Sequence, residues 1–181
     1  MNTSAGYDTV LTVGTLTNKT SGTIQSAGDL TLTVTDALNN DGEFIADGAI
    51  DLRAGNAGTT LVVSNQANGY MGAGTQLTIA GTAGGSNVNV STQSGILLAG
   101  TNIDLKLAGL SSSGVVQAGE AVTINSSGGV TNSGLVAAGT TVSITAAGTL
   151  TNSATGELQA ADGYSLNAGT FANSGLVLGT S

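Results

Sequence analysis

The sequence predicts an all-β chain folded as a parallel β-helix, a solenoid of about eight coils with roughly 20 residues in each. Three observations carry that expectation. Short runs alternate apolar with small or polar residues, the period-two pattern of half-buried strands. A run reading Gly, any residue, apolar, any residue, small recurs from Gly22, Gly42, Gly69, Gly95, Gly114, Gly134, Gly156 and Gly175. Apolar residues make up 40% of the chain but aromatics only 3%, so the core must be thin layers of Val, Leu, Ile and Ala.

Aligned on the glycine, the second following residue is Ile24, Phe44, Met71, Leu97, Val116, Val136, Leu158 or Val177. The fourth is Ser26, Ala46, Ala73, Ala99, Ala118, Ala138, Ala160 or Gly179. A column of large apolar residues beside a column of small ones suits a narrow interior in which equivalent residues lie one strand spacing apart, about 4.7–4.9 Å. The stretch 134–156 shows the whole unit: runs at 135–138, 142–145 and 150–152, separated by Gly and small residues. Three short strands leave no room for a helix. Their single apolar face has nothing within the unit to cover it, so units must stack. A flexible Gly/Ser/Thr linker has no reason to keep two columns in register.

In chain order, the alternation at 9–13 predicts a strand, followed by Leu16-Thr17-Asn18 and the first glycine run. The segment 30–34 then places Leu30, Leu32 and Val34 inward and Thr31, Thr33 and Thr35 outward. Its later equivalents carry the inward pairs Ile50/Leu52, Leu77/Ile79, Ile103/Leu105, Val122/Ile124 and Val142/Ile144. A third strand carries Leu38, Val130, Leu150 and Phe171, each followed two residues later by an asparagine. Asn18, Asn40, Asn132, Asn152 and Asn173 are therefore expected to stack as a structural amide ladder, each in a left-handed turn conformation.

Two units are six or seven residues longer, through insertions within 53–68 and 80–94. Both fall between the second strand and the next glycine, so they should project from one edge on adjacent coils. Gly81 to Asn87 reads as a turn, and 61–63 and 88–90 read as longer strands. The reading favoured over projecting insertions is a cross-section that simply widens for two coils.

Charge and composition exclude several functions. The net charge is −8, and Lys19, Arg53 and Lys106 are the three cations. They are too few to neutralise a nucleic-acid backbone or to form a polybasic membrane anchor. No apolar run approaches the length of a membrane-spanning helix, so no membrane insertion is expected. Met1-Asn2-Thr3-Ser4 does not read as a signal peptide. Zero prolines suit strands that donate to neighbours on both sides, and zero cysteines exclude disulfides and thiolate metal sites. With no His and one Arg, general-base and oxyanion partners are nearly missing, so no enzyme activity and no catalytic residue are expected.

Six of the eleven acids lie between Asp29 and Asp51. Asp36, Asp41 and Asp47 are the calcium candidates there, but the Gly-Gly-x-Gly-x-Asp nonapeptide of calcium-binding β-rolls is missing. An acidic solvated turn explains them better, so no metal or cofactor is expected. Asp51 with Arg53, and Asp104 with Lys106, fall on outward positions and read as surface charges. The outward residues of the second strand are not a uniform threonine array, which argues against ice binding.

The pattern Gly-Thr-Leu-Thr-Asn, then Ser-Gly, then Ala-Gly before an alternating Leu-x-Leu run resembles the repeats of filamentous haemagglutinin. It is clearest at 14–34, 129–146 and 148–168. Those repeats build two-partner-secretion exoproteins, including adhesins and contact-dependent inhibition proteins associated with virulence. The resemblance implies a right-handed parallel β-helix over a single domain, residues 1–181, as a piece of a longer shaft. It implies a secreted or cell-surface location on a Gram-negative bacterium, with an outer-membrane transporter as partner during secretion. The expected function is a structural stalk that holds an adhesive or toxic region away from the cell. Partners would then be other cell-surface proteins or host or neighbour-cell receptors, met through the parent protein. The alternative is an adhesion or self-association surface made of outward aliphatic residues, Ile96, Leu98, Val115, Leu135 and Leu176, together with the two insertions.

Overall fold

A computed structural model of the chain describes residues 6–179; the expectation about Met1–Ser4 lies outside them. Strands make up 65% of the chain, and the described residues hold no α-helix, so the backbone can be satisfied only between coils. They form parallel sheets that wind into a β-solenoid of about eight turns of roughly 21 residues.

Each coil has three faces. The first is an eight-stranded parallel sheet of the glycine-led strands: Thr23–Ser26, Glu43–Ala46, Tyr70–Ala73, Ile96–Ala99, Val115–Ala118, Leu135–Ala138, Glu157–Ala160 and Leu176–Gly179. Neighbours pair without slippage, so Leu97 sits on Met71, Val116 on Leu97 and Val136 on Val116. The second face includes Ile50–Ala54, Leu77–Ala80, Ile103–Leu107 and Val122–Ser126. The third includes Leu61–Asn65, Val88–Gln93, Gly109–Ser112 and Val130–Asn132. In Thr9–Asn18, Leu30–Asn40, Thr141–Asn152 and Gly163–Asn173 one continuous strand bends from the second face into the third. The bend in the first of these falls at Gly14, where pairing slips between Val13 and Thr15.

The core is the stack of inward columns. Phe44, Met71, Leu97, Val116, Val136 and Leu158 from the first face are at most 1% exposed and meet the inward pairs of the second face. Each such side chain contributes about 1.5–3 kcal/mol by leaving water. The small column faces the same interior, with Ala46, Ala99, Ala118 and Ala160 buried where a longer side chain would overfill the coil.

The leading glycines have a steric cause. A Cβ at Gly95, Gly114 or Gly134 would overlap the carbonyl oxygen of the equivalent glycine one coil earlier. The chain enters each first-face strand pressed against the coil below, and only a residue without a side chain fits.

The two insertions leave the inward apolar column in place, although the pairing slips beside it between Val63 and Ser64 and between Leu110 and Ser112. Leu61–Asn65 and Val88–Gln93 take their places in the third face, with Leu38, Val63, Val90 and Leu110 stacked in register. The cross-section therefore does not widen there in the manner of a longer core. The extra residues form loops at the corner between the second and third faces, around 55–60 and 81–87. One loop rests on the other: Asn87 Nδ2 donates to Asn56 O (2.7 Å) and Thr59 O (3.0 Å), and Thr82 Oγ1 donates to Ala54 O (3.1 Å). A single 3-10 turn, Thr82–Gly84, lies in the second loop.

Candidate functional site

The third face ends each coil with an inward polar side chain, and these build the most ordered polar feature of the molecule. Asn18 Nδ2 donates to Asn40 Oδ1 (2.9 Å), Asn40 to Asn65 (2.8 Å), and Asn65 to Gln93 Oε1 (3.1 Å). Beyond Ser112 the series resumes, from Asn132 to Asn152 (2.9 Å) and from Asn152 to Asn173 (2.9 Å). Each amide nitrogen also reaches carbonyls of the first face, as Asn132 does at Gly134 O (3.1 Å) and Glu157 O (3.2 Å). Asn40, Asn65, Asn132 and Asn152 are at most 1% exposed, and these bonds satisfy them.

The conformation expected for these asparagines is corrected by the structure. Among the described residues Ala83 is the one non-glycine residue with positive φ, so the asparagines are not left-handed. They occupy extended strand ends, two residues after an inward Leu or Val, and strand alternation turns them inward. Sequence reasoning also missed Asn65 and Gln93. The signal was present as Val63-Ser64-Asn65 shortly before Gly69, and as Gln93 two residues before Gly95.

The aliphatic residues lie on the outer side of the first face. Register places Glu43, Tyr70, Ile96, Val115, Leu135, Glu157 and Leu176 in one outward column. Ile96, Val115 and Leu135 are contiguous, with Leu98 beside them, whereas Glu157 separates Leu176 from the rest. Ile96 is 40% and Leu176 44% exposed; Leu98, Val115 and Leu135 are half-buried by their neighbours. Tyr70, not singled out in the sequence, extends the stripe by one coil and lays its ring over Gly72, where a Cβ would overlap it. A band about 15 Å long and two residues wide covers on the order of 200 Å², within the patch size ordinary on monomers and far below the roughly 1,000 Å² of a stable interface.

The acidic residues are spread along the corners. Asp8 Oδ1 accepts the Asp29 backbone N–H (2.8 Å), and Asp29 Oδ1 accepts that of Ala49 (2.8 Å), so both fasten one coil to the next. Asp41 accepts from Thr20 Oγ1 (2.6 Å) and Asn68 Nδ2 (3.1 Å), and these bonds hold its carboxyl below the ordinary value. Among the described residues no three His, Cys, Asp or Glu side chains gather to hold a metal, so Asp36, Asp41 and Asp47 are not brought together. The outward pairs are ion pairs, Arg53 Nε to Asp51 Oδ1 at 2.6 Å and Lys106 Nζ to Asp104 Oδ2 at 3.6 Å. A shallow groove of about 310 Å³ runs between the 81–87 loop and Lys106, Asn125 and Thr145. Its lining charge, Lys106, is already partnered by Asp104, and no aromatic ring or carboxylate lines it.

The ordered chemistry of this chain therefore joins coil to coil, and its outer surface carries no assembled catalytic set among the described residues. Comparison with known proteins agrees with that architecture. No match was found among curated proteins or among solved structures. The haemagglutinin repeat family matches residues 2–68, 62–154 and 136–180, which together span almost the whole sequence. The chain belongs to the haemagglutinin repeat family.

Proposed function

We propose that this chain, as one β-helical domain over 1–181, is a structural segment of the stalk of a large bacterial exoprotein, and that the stalk holds an adhesive or toxic region away from the cell. The solenoid and the repeat family fit a stalk. The observation that carries the reading is the unbroken register of the first face across all eight strands, Thr23–Ser26 to Leu176–Gly179. A rod held by parallel hydrogen bonds at every step resists bending, and each coil adds about 4.8 Å of reach. The family also suggests a secreted or surface location. Export from a Gram-negative cell through an outer-membrane transporter, as in two-partner secretion, completes the proposal. Contact-dependent inhibition and adhesion are the two uses it serves.

The test replaces residues 22–174 in the parent protein with an unrelated solenoid of equal coil number. A spacer keeps adhesion or killing after the exchange. Loss of activity while the tip still reaches the surface would contradict the reading and move recognition into the shaft itself. A second reading, weak lateral association through Ile96, Leu98, Val115 and Leu135, draws on the 40% exposure of Ile96. The small area of the stripe limits it to contacts reinforced by many parallel shafts.

A further inference from the structure

Eight positions follow one another along the third face in register: Asn18, Asn40, Asn65, Gln93, Ser112, Asn132, Asn152 and Asn173. Seven carry a carboxamide. Ser112 does not, although it is 1% exposed and sits at the same place in its coil. Its Oγ is buried and meets no hydrogen-bonding protein group. An orphan hydroxyl at that depth costs about 1–3 kcal/mol, which makes it an exception that requires a partner.

The groups around it are those that a carboxamide would join. Below, Gln93 Nε2 donates to Gly95 O (3.0 Å) and Val115 O (3.2 Å) but to no side chain of the next coil. Above, Asn132 Oδ1 accepts the Gly134 N–H (3.3 Å), whereas in Asn40 and Asn152 the same oxygen takes a side-chain amide from the coil beneath. Leu135 O occupies the position at which Glu43, Tyr70, Ile96, Val115, Glu157 and Leu176 each receive a side-chain amide. A serine Oγ stands where an asparagine has Cγ. Relative to an asparagine the serine lacks the two terminal amide atoms, whose volume is roughly the 30 Å³ that one water takes in the liquid.

We infer that Ser112 is a binding site for one buried water, held by Ser112 Oγ and donating to Asn132 Oδ1 and Leu135 O. The site is polar and offers three partners, the conditions under which buried water is retained. It also accounts for a serine in a column of amides: hydroxyl and water together supply what a carboxamide supplies elsewhere. The inference depends on the ladder geometry alone and is independent of the stalk reading.

A crystal structure of the whole chain at about 1.8 Å or better tests it directly. The expected result is a density peak within hydrogen-bonding distance of both Ser112 Oγ and Asn132 Oδ1. A Ser112 hydroxyl bonded directly to a protein group, with no peak beside it, would overturn the inference. Two variants give an independent reading from thermal melting. Ser112→Ala removes the anchor and should lower Tm by about 2–4 °C, while Ser112→Asn, which supplies both amide atoms, should raise it by a similar amount. An alanine variant as stable as the natural chain would show a dry site and overturn the inference. So would an asparagine variant that melts lower, because the space would then be too small for the atoms proposed to fill it.

Discussion

The coils led by Gly42 and Gly69 run 27 and 26 residues to the next glycine, whereas those led by Gly95, Gly114, Gly134 and Gly156 run 19 to 22. Both kinds build the same three faces. Among the short coils, the one led by Gly134 passes from the second face to the third within one strand, Thr141–Asn152, whereas those led by Gly95 and Gly114 break between Leu107 and Gly109 and between Ser126 and Val130. In the long coils the same corner is interrupted by an exposed loop, yet Val63 and Val90 return to the column that holds Leu38 and Leu110. The difference teaches where this fold tolerates length. Within the columns an extra residue has to be absorbed by a bulge, as at Ser91, where the pairing slips so that Gln93 still turns inward opposite Asn65. At the corner the chain contributes no inward apolar column, so surplus residues leave the rod and lie on one another.

The sharpest way to break the comparison is a charge in a column. Val136→Asp places an unpaired carboxylate between coils and should cost more than about 4 kcal/mol, enough to unfold the neighbouring coils. Ser143→Asp, half-exposed on the outer side between Thr123 and Ser165, should change stability by less than about 0.5 kcal/mol. Urea denaturation of the two variants checks the contrast; equal tolerance would mean that inner and outer faces are exchanged.

Glycine provides the next test, smaller and more local. Gly134→Ala drives a methyl into the Gly114 carbonyl and should cost about 2–4 kcal/mol, comparable to other core overpacking. Gly58→Ala, in the first corner loop, meets only Asn56 Oδ1 at 3.5 Å and should be nearly neutral. Melting curves of the pair measure how much closer the coils approach at the first face than at the corner.

Within the corner itself, strain is confined to one residue. Ala83 has φ 52° and ψ 30°, a left-handed conformation that costs a non-glycine residue about 1 kcal/mol. Ala83→Gly should therefore stabilise the chain by up to about 1 kcal/mol, read as a small rise in Tm. A fall would show that the loop is held by contacts of the Ala83 methyl instead.

The smallest effect is one of pH. The Thr20 and Asn68 hydrogen bonds lower the Asp41 pKa below its ordinary 3.8, so the folded state favours the carboxylate. That contribution is present above the unfolded value and is lost as pH falls through the lowered folded one. Asp41→Asn should therefore flatten the acid limb of Tm against pH below about pH 4, with little change at neutral pH. An unchanged acid limb would remove Asp41 from the account of acid unfolding.

How much of this was legible in the sequence depended on whether a signal lay in a column. Large residues two places after each glycine, and small ones four places after, can be read without coordinates because stacking repeats them in every coil. The steric need for the glycines was not legible, since it arises from the carbonyl of another coil. The ladder was legible where Leu-x-Asn is intact, as at Leu150 and Asn152. It was obscured at Asn65 and Gln93, where the corner loops shift the spacing and a pairing slip between Val63 and Ser64 places Gln93 opposite Asn65. The outward aliphatic residues could be named from the alternation. Their continuity could not, because it depends on which residue of the next coil lies alongside, and that residue is Glu157 before Leu176.

The central claim is that equivalent residues of successive coils stand one strand spacing apart along a single rod. The chain has no cysteine, so paired spin labels can be placed without background. Thr31, Asp51, Thr78, Asp104, Thr123, Ser143 and Ser165 form one outward column. Pulsed electron resonance on Thr31→Cys/Ser143→Cys should give a backbone separation of about 24 Å, five coil steps, and Thr31→Cys/Ser165→Cys about 29 Å. Separations that grow by one strand spacing per coil support the stacked rod. Equal separations for the two pairs, or broad distributions without a maximum near these values, would contradict it.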